Sequence, residues 1–232
     1  MGGCRSLGAG LLVGAMLACG DGSGIISVNS PLVSVSGITR DYFTTNPLGS
    51  AVITIDDHPT LTTTSGTVGA YTFSVSGSTT LRVVTALTNY RPTRNETLTV
   101  GLSAVVADQF AAANADINRQ YTAVGLFPNI NTGVVIVNLR DDAGQPRVGI
   151  PVADIVLLSG STPVGLGPFV FTGTDVVPQT TQAVTVLAGG RSRVAFLDVP
   201  PGTLTLSVKL SATQTVTATV FVTANGATLV QR

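Results

Sequence analysis

From about residue 31 onward the chain alternates apolar and polar positions in short runs bounded by Gly, Pro, Asn or Asp. In Tyr71-Thr72-Phe73-Ser74-Val75 the large apolar side chains all fall on one face. Leu204-Thr205-Leu206-Ser207-Val208-Lys209-Leu210 alternates in the same way, with Thr205, Ser207 and Lys209 turned outward. Val216 to Val222 continues the pattern, with Thr217, Thr219 and Phe221 on the second face. A period of two is the mark of a half-buried strand, because successive Cβ atoms point to opposite sides of the backbone. After Val222, Asn225-Gly226 precedes Ala227-Thr228-Leu229-Val230. Asn-Gly favours a type I′ turn, which needs positive φ at both central residues, so the pattern predicts a C-terminal hairpin.

One segment changes period. Between Ala104 and Tyr121, the residues Val106, Phe110, Ala113, Ile117 and Tyr121 recur at steps of three and four, while Asp108, Asn114, Asp116 and Arg119 lie elsewhere. That spacing predicts an amphipathic helix with Ser103 as N-cap, Gly125 as stop and Pro128 just beyond. The expected architecture is all-β: two small antiparallel β-sandwich modules, 31–102 and 129–232, joined by a helical connector at 103–128. Short internal similarities support a pair of modules. Pro47 to Ile53 can be laid over Pro151 to Leu157, and Phe73 to Val83 over Phe196 to Leu206.

Composition agrees with a β body. Of 232 residues, 44% are hydrophobic and only 10% charged, so there is ample apolar material for cores. Thr and Val, both branched at Cβ, dominate, whereas Glu96 and Lys209 are the sole Glu and Lys. Net charge is +0 and the basic residues form no cluster, which argues against a nucleic-acid partner and against a polybasic membrane surface.

The first eighteen residues read as a signal segment. Arg5 supplies a short positive region, and Ala9 to Ala18 is an apolar run. The run is too short to cross a bilayer core of ~30 Å, which takes roughly 20 residues. Met16-Leu17-Ala18-Cys19 resembles the lipobox of bacterial lipoproteins, with Met16 where that pattern most often has Leu. The resemblance implies that Cys19 is lipidated and becomes the new N-terminus. Residues 19–30, beginning Cys19-Gly20-Asp21-Gly22-Ser23-Gly24, then form a tether. Two acyl chains, at about 0.8 kcal/mol per buried CH₂, hold a protein stably on a membrane. Gly20 stands where an inner-membrane retention Asp would be, so the expected address is the cell envelope, lipid-anchored at the outer membrane.

A second resemblance concerns the body. Val35-Ser36-Gly37, Gly49 to Ile53, Thr63-Thr64-Ser65-Gly66, Tyr71-Thr72-Phe73 and Asn89-Tyr90-Arg91-Pro92 are similar to the carboxypeptidase regulatory-like (transthyretin-like) β-sandwich. So are Asp141 to Pro146, Gly149 to Val152 and Asp198 to Thr203 in the second half. The first module departs from that pattern at Gly66-Thr67-Val68-Gly69, where an Asp-Gly turn is usual, and the second carries an insertion from Ser159 to Ala183. The resemblance implies non-catalytic accessory modules of exported and surface proteins, and turn signatures of this kind say little about activity.

Candidate chemistry is sparse. His58, the only histidine, sits in Asp56-Asp57-His58-Pro59, which is good turn chemistry. Adjacent strand residues point to opposite faces, so Asp56, Asp57 and His58 are not expected to converge as a metal or acid–base site. One histidine and one lipidated cysteine cannot supply a zinc site. No nucleophile elbow occurs, and Ser159-Gly160-Ser161 and Ser74 to Gly77 read as hairpin loops. Asp141, Asp142 and Asp154 could share a calcium rim but lack calcium-loop spacing, and a solvated turn is the simpler reading. Glu96 has no Asp close in sequence with which to form a glycosidase pair. We therefore expect no catalytic residues, cofactor or metal. Phe169 and Phe171, in the long insertion, are the candidate ligand or partner contacts. The expected function is a non-catalytic envelope lipoprotein acting as a structural, adhesion or partner-docking unit, with an envelope protein or glycan as partner. The alternative is a carbohydrate- or peptide-binding lipoprotein serving a partner enzyme or transporter.

Overall fold

Alternating burial organises many of the strands in a computed structural model that describes residues 30–177, 183–187 and 190–232. The signal segment, Cys19 and most of the tether lie outside the described residues. In chain order the first half contains β1 (Leu32–Asp41), β2 (Val52–Ile55), β3 (His58–Thr64), β4 (Ala70–Ser76), β5 (Thr79–Leu81) and β6 (Val83–Ala86). There follow β7 (Tyr90–Arg91), β8 (Thr93–Arg94), β9 (Leu98–Val100), β10 (Val105–Val106) and β11 (Gln109–Ala113). Helix α1 (Asn114–Ala123) leads into β12 (Gly133–Leu139), β13 (Ile155–Ser159), β14 (Thr162–Pro163) and β15 (Leu166–Val170). Last come β16 (Ser192–Val199), β17 (Gly202–Lys209), β18 (Thr215–Val222) and β19 (Ala227–Gln231).

The chain is mostly β, with sheets facing one another around buried side chains. In the first half, Val33, Val35, Tyr71, Phe73 and Val75 from β1 and β4 meet Ile53, Ile55 and Val83 from β2 and β6. In the second, the β14-β13-β17-β18 sheet turns Ile155, Leu157, Leu204, Leu206 and Val220 onto Val135, Val137, Val194 and Phe196. Each large apolar side chain so buried contributes about 1.5–3 kcal/mol.

The two halves share backbone. One eight-stranded sheet runs β15-β16-β12-β19-β8-β6-β2-β3, so strands from both halves lie in a single layer. The seam is a short parallel pairing in which Ala227 and Thr228 of β19 lie opposite Thr93 and Arg94 of β8. At its centre both faces are covered. Val134, Ile136, Ala195, Leu197, Ala227 and Leu229 point away from the second core and bury against Ile117 and Tyr121 of α1, with Tyr42, Ala112 and Phe171. The apolar runs in β12, β16 and β19 are therefore continuous rather than alternating, as strands buried on both sides require.

Two local expectations are corrected. The helix begins at Asn114, not near Ser103: Val105–Val106 and Gln109–Ala113 are strands, paired in parallel with β1, and Ala113 is the N-cap. Val106 and Phe110 fit the helical spacing by coincidence, because pairing to a distant strand outweighs local periodicity. The C-terminal hairpin is also absent. β18 pairs with β17, whereas β19 runs parallel to β12 and β8 in the other sheet. The turn is Thr223 to Gly226, closed by the Gly226 N–H donating to the Thr223 carbonyl at 3.1 Å. Asn225 (φ 54°) occupies its third position and Gly226 its fourth, one place later than a type I′ hairpin needs.

Candidate functional site

The seam between the halves holds two adjoining cavities, of about 280 and 220 Å³, that share Asn95, Glu96, Thr97, Leu229 and Gln231 on their walls. Asn95 fixes the segment after β8. Its amide donates to the carbonyl of Phe110 at 3.0 Å and its side-chain oxygen accepts the Phe110 N–H at 2.6 Å. This reciprocal pair ties β8 to β11 and leaves Glu96 and Thr97 facing the gap. From the other half come Asn138 and Arg140 at the end of β12, Arg191 just before β16, and Gln231 of β19.

Side chains also cross the seam. Arg94 donates from Nε to Asp56 Oδ2 at 2.7 Å and from a terminal nitrogen to the Thr223 hydroxyl at 2.9 Å. Arg82 pairs with Asp57 and lies 4.3 Å from the Phe221 ring centroid. The Tyr42 hydroxyl donates to Asn138 Oδ1 at 3.0 Å, and the Arg191 guanidinium donates to the Tyr42 carbonyl at 3.0 Å. Burial pushes the Tyr42 phenol up, opposed by the charges of Arg193 and Arg191.

The smaller cavity has a basic, aromatic wall. Arg191 and Arg193 share a strand face, and their guanidinium carbons lie 5.4 and 5.3 Å from the Tyr42 centroid. Arg193 also stacks on Phe171 at 4.6 Å, a geometry that favours a cation over the ring face. Burial lowers the Arg191 guanidinium, helped by the neighbouring charges of Arg193 and Arg140. Beside Asp108, which pairs with Arg40 at 2.7 Å, Glu96 is the second carboxylate on this wall. Crowding in the cleft raises its pKa even though the residue keeps an exposed face, while Arg140, Arg232 and the Asn138 side chain pull it back. Gln109, only 3% exposed, lines the same cavity, and its Oε1 has no hydrogen-bond partner among the described residues.

The residues singled out by sequence lie elsewhere. His58 is exposed at the start of β3, and Asp56 and Asp57 form the β2–β3 turn, each paired to an arginine. Asp141 accepts the N–H groups of Ala143 at 3.0 Å and Gln145 at 2.8 Å, which makes it the pivot of a loop. Asp154 sits 4.0 Å from Lys209. Among the described residues no three His, Cys, Asp or Glu side chains group as metal ligands. Phe171 is fully buried against Phe43 and Arg193, and Phe169 is half-buried on β15, so neither ring stands free at the surface. Cys19 lies outside the described residues. Sequence reasoning missed Glu96, Gln109, Arg140 and Arg191, which come from separate segments. The usable signal was Arg191-Ser192-Arg193, two arginines at strand spacing in a chain poor in charge.

No family model and no curated protein matches the chain. Among solved structures it is similar to the Bacillus anthracis TIE protein, with 10% identity and a TM-score of 0.30 over 87% of this chain and 33% of that one. It is also similar to a Streptococcal ancillary pilin, with 15% identity and a TM-score of 0.28 over 86% of this chain and 61% of that one. A third is the shaft pilin SpaA from Lactobacillus rhamnosus GG, with 11% identity and a TM-score of 0.28 over 87% of this chain and 97% of that one. The chain thus spans about a third of the first structure and three-fifths of the second.

Proposed function

We propose that the protein is a non-catalytic cell-envelope lipoprotein, anchored through Cys19, whose β body serves as a structural, adhesion or partner-docking unit. In this reading, residues 1–18 are removed, 19–30 form the tether, and carboxypeptidase regulatory-like modules at 31–102 and 129–232 flank the 103–128 connector. The outer membrane is the proposed address.

The observation that carries the structural part is the eight-stranded sheet shared by both halves. A body joined by backbone hydrogen bonds holds its outer strands at fixed spacing, and β3 at one end of that sheet has an edge unpaired among the described residues and able to receive a partner strand. The alternative, a carbohydrate- or peptide-binding lipoprotein, is favoured by the polar, aromatic-walled cavities at the seam.

Protease shaving of intact cells, with a Cys19→Ala control, tests the proposal. Clipping of the body while a periplasmic marker survives supports an outward-facing unit. Protection until the envelope is permeabilised moves the docking role to a periplasmic partner. If Cys19→Ala leaves the protein equally membrane-bound, the anchoring proposal fails.

A further inference from the structure

We propose that the smaller seam cavity is a binding site for a small hydroxylated carboxylate of the uronic acid class, held by Arg140 and Arg191. The proposal deepens the saccharide-binding alternative and rests on it.

Three observations point to this chemistry. The first is an excess of basic groups: Asp108 on the wall is neutralised by Arg40, which leaves Glu96 against Arg140 and Arg191. Arg40, Arg82 and Arg94 are each paired with an aspartate, whereas among the described residues Arg140 and Arg191 donate to backbone carbonyls, of Gly144 at 2.6 Å and Tyr42 at 3.0 Å. Each guanidinium keeps further N–H donors, and planar arginine donors match a carboxylate in a forked geometry. Arg193 stands behind Arg191 with two buried nitrogens unpartnered among the described residues, so an incoming anion relieves repulsion within the group.

The second is the kind of polar groups opposite. Gln109 Oε1 is a buried acceptor without a donor among the described residues, and the Glu96 carboxylate and Thr97 hydroxyl share the wall. Leaving a buried acceptor unsatisfied costs about 1–3 kcal/mol. Acceptors call for hydroxyl donors on the ligand, and Glu96 repels a multiply charged anion such as phosphate. A single carboxylate carrying hydroxyl groups meets both demands. The third is the apolar part of the wall. Half-buried Phe110 and Leu98, backed by buried Tyr42, which meets Phe110 edge to face at 6.0 Å, offer a surface for the C–H face of a sugar ring. The two seam cavities together reach the size of small-molecule sites, roughly 300–1,000 Å³.

The test is calorimetric titration of the purified full-length chain with D-glucuronate, D-galacturonate and their oligosaccharides. Glucose, galactose and N-acetylalanine serve as comparison ligands. Binding of a uronate at least about tenfold tighter than of these comparison ligands is the expected result. Arg191→Gln and Arg140→Gln are each expected to weaken it by about tenfold or more, the loss of one charge-assisted contact. Unchanged melting of either variant shows that folding is intact. Equal binding of the neutral sugars overturns the carboxylate requirement but leaves a saccharide site. Equal binding of N-acetylalanine overturns the sugar requirement. No uronate binding, or full binding by both folded variants, overturns the proposal.

Discussion

The Tyr121 hydroxyl donates to Asp198 Oδ1 at 3.1 Å and accepts the backbone N–H of the same aspartate at 3.2 Å. One phenol thus fastens α1 to the end of β16, where Asp198 adopts a positive φ of 49°. Thr132 adds a second donor to Oδ1 at 3.0 Å. Tyr121→Phe keeps the fully buried ring but removes a bond to a charged acceptor, so it is expected to lower stability by about 1.5–3 kcal/mol. Urea denaturation at pH 7 checks this. Thr132→Val should cost less, because the Tyr121 bonds remain.

Ile136 gives a sharper view of the shared sheet. It lies on the β12 face that a sandwich standing alone would show to water, yet it is fully buried against the α1 layer. Ile136→Ala is expected to cost about 2–5 kcal/mol, as for a core truncation. At an exposed site the same change would fall within about 0.5 kcal/mol. Far-ultraviolet circular dichroism and tyrosine fluorescence should report the same single unfolding transition.

Gly37 marks where β1 changes partner from β10 to β11. A Cβ there would collide with the Ala107 carbonyl, a backbone atom that cannot swing away. The same carbonyl accepts the Tyr71 hydroxyl, and the Ile38 N–H finds its acceptor in Asp108 Oδ1 at 3.0 Å. Gly37→Ala is expected to destabilise by about 3 kcal/mol or more through backbone displacement. Thermal melting against wild type measures it, with Gly101→Ala, where a Cβ meets nothing, as the mild comparison.

Tyr71 predicts an alkaline limit. Burial, with a smaller push from Asp108, raises its phenol from about 10 to about 12, against a hydrogen bond from Gln109. The folded state then holds the proton more tightly than the unfolded chain. This group's contribution is fully present below pH 10 and is lost as pH rises toward 12. The urea midpoint should fall over that window, and Tyr71→Phe should reduce the fall.

Much of the β architecture is legible in the sequence because half-buried strands must alternate. Tyr71 to Val75 and Leu204 to Lys209 alternate in burial just as they alternate in hydropathy. The failures share one cause. Val105 to Ala113 and Ala227 to Gln231 take their conformation from strands far away in sequence, and no local period encodes a partner. The unbroken apolar runs Val134 to Val137 and Val194 to Leu197 carried a usable hint, since a strand that never alternates needs a layer on each side. The cavity was less accessible still. Glu96 looked isolated because its neighbours, Arg140 and Asn138, lie more than forty residues away.

The position of β19 sets a timetable for maturation. The strand lies between β8 and β12, yet its residues, 227–231, leave the ribosome after both. Until they arrive, β8 and β12 each keep an unsatisfied edge, and the central sheet cannot close. The committing step for the central sheet is thereby postponed until residues that follow both partners in the chain are in place.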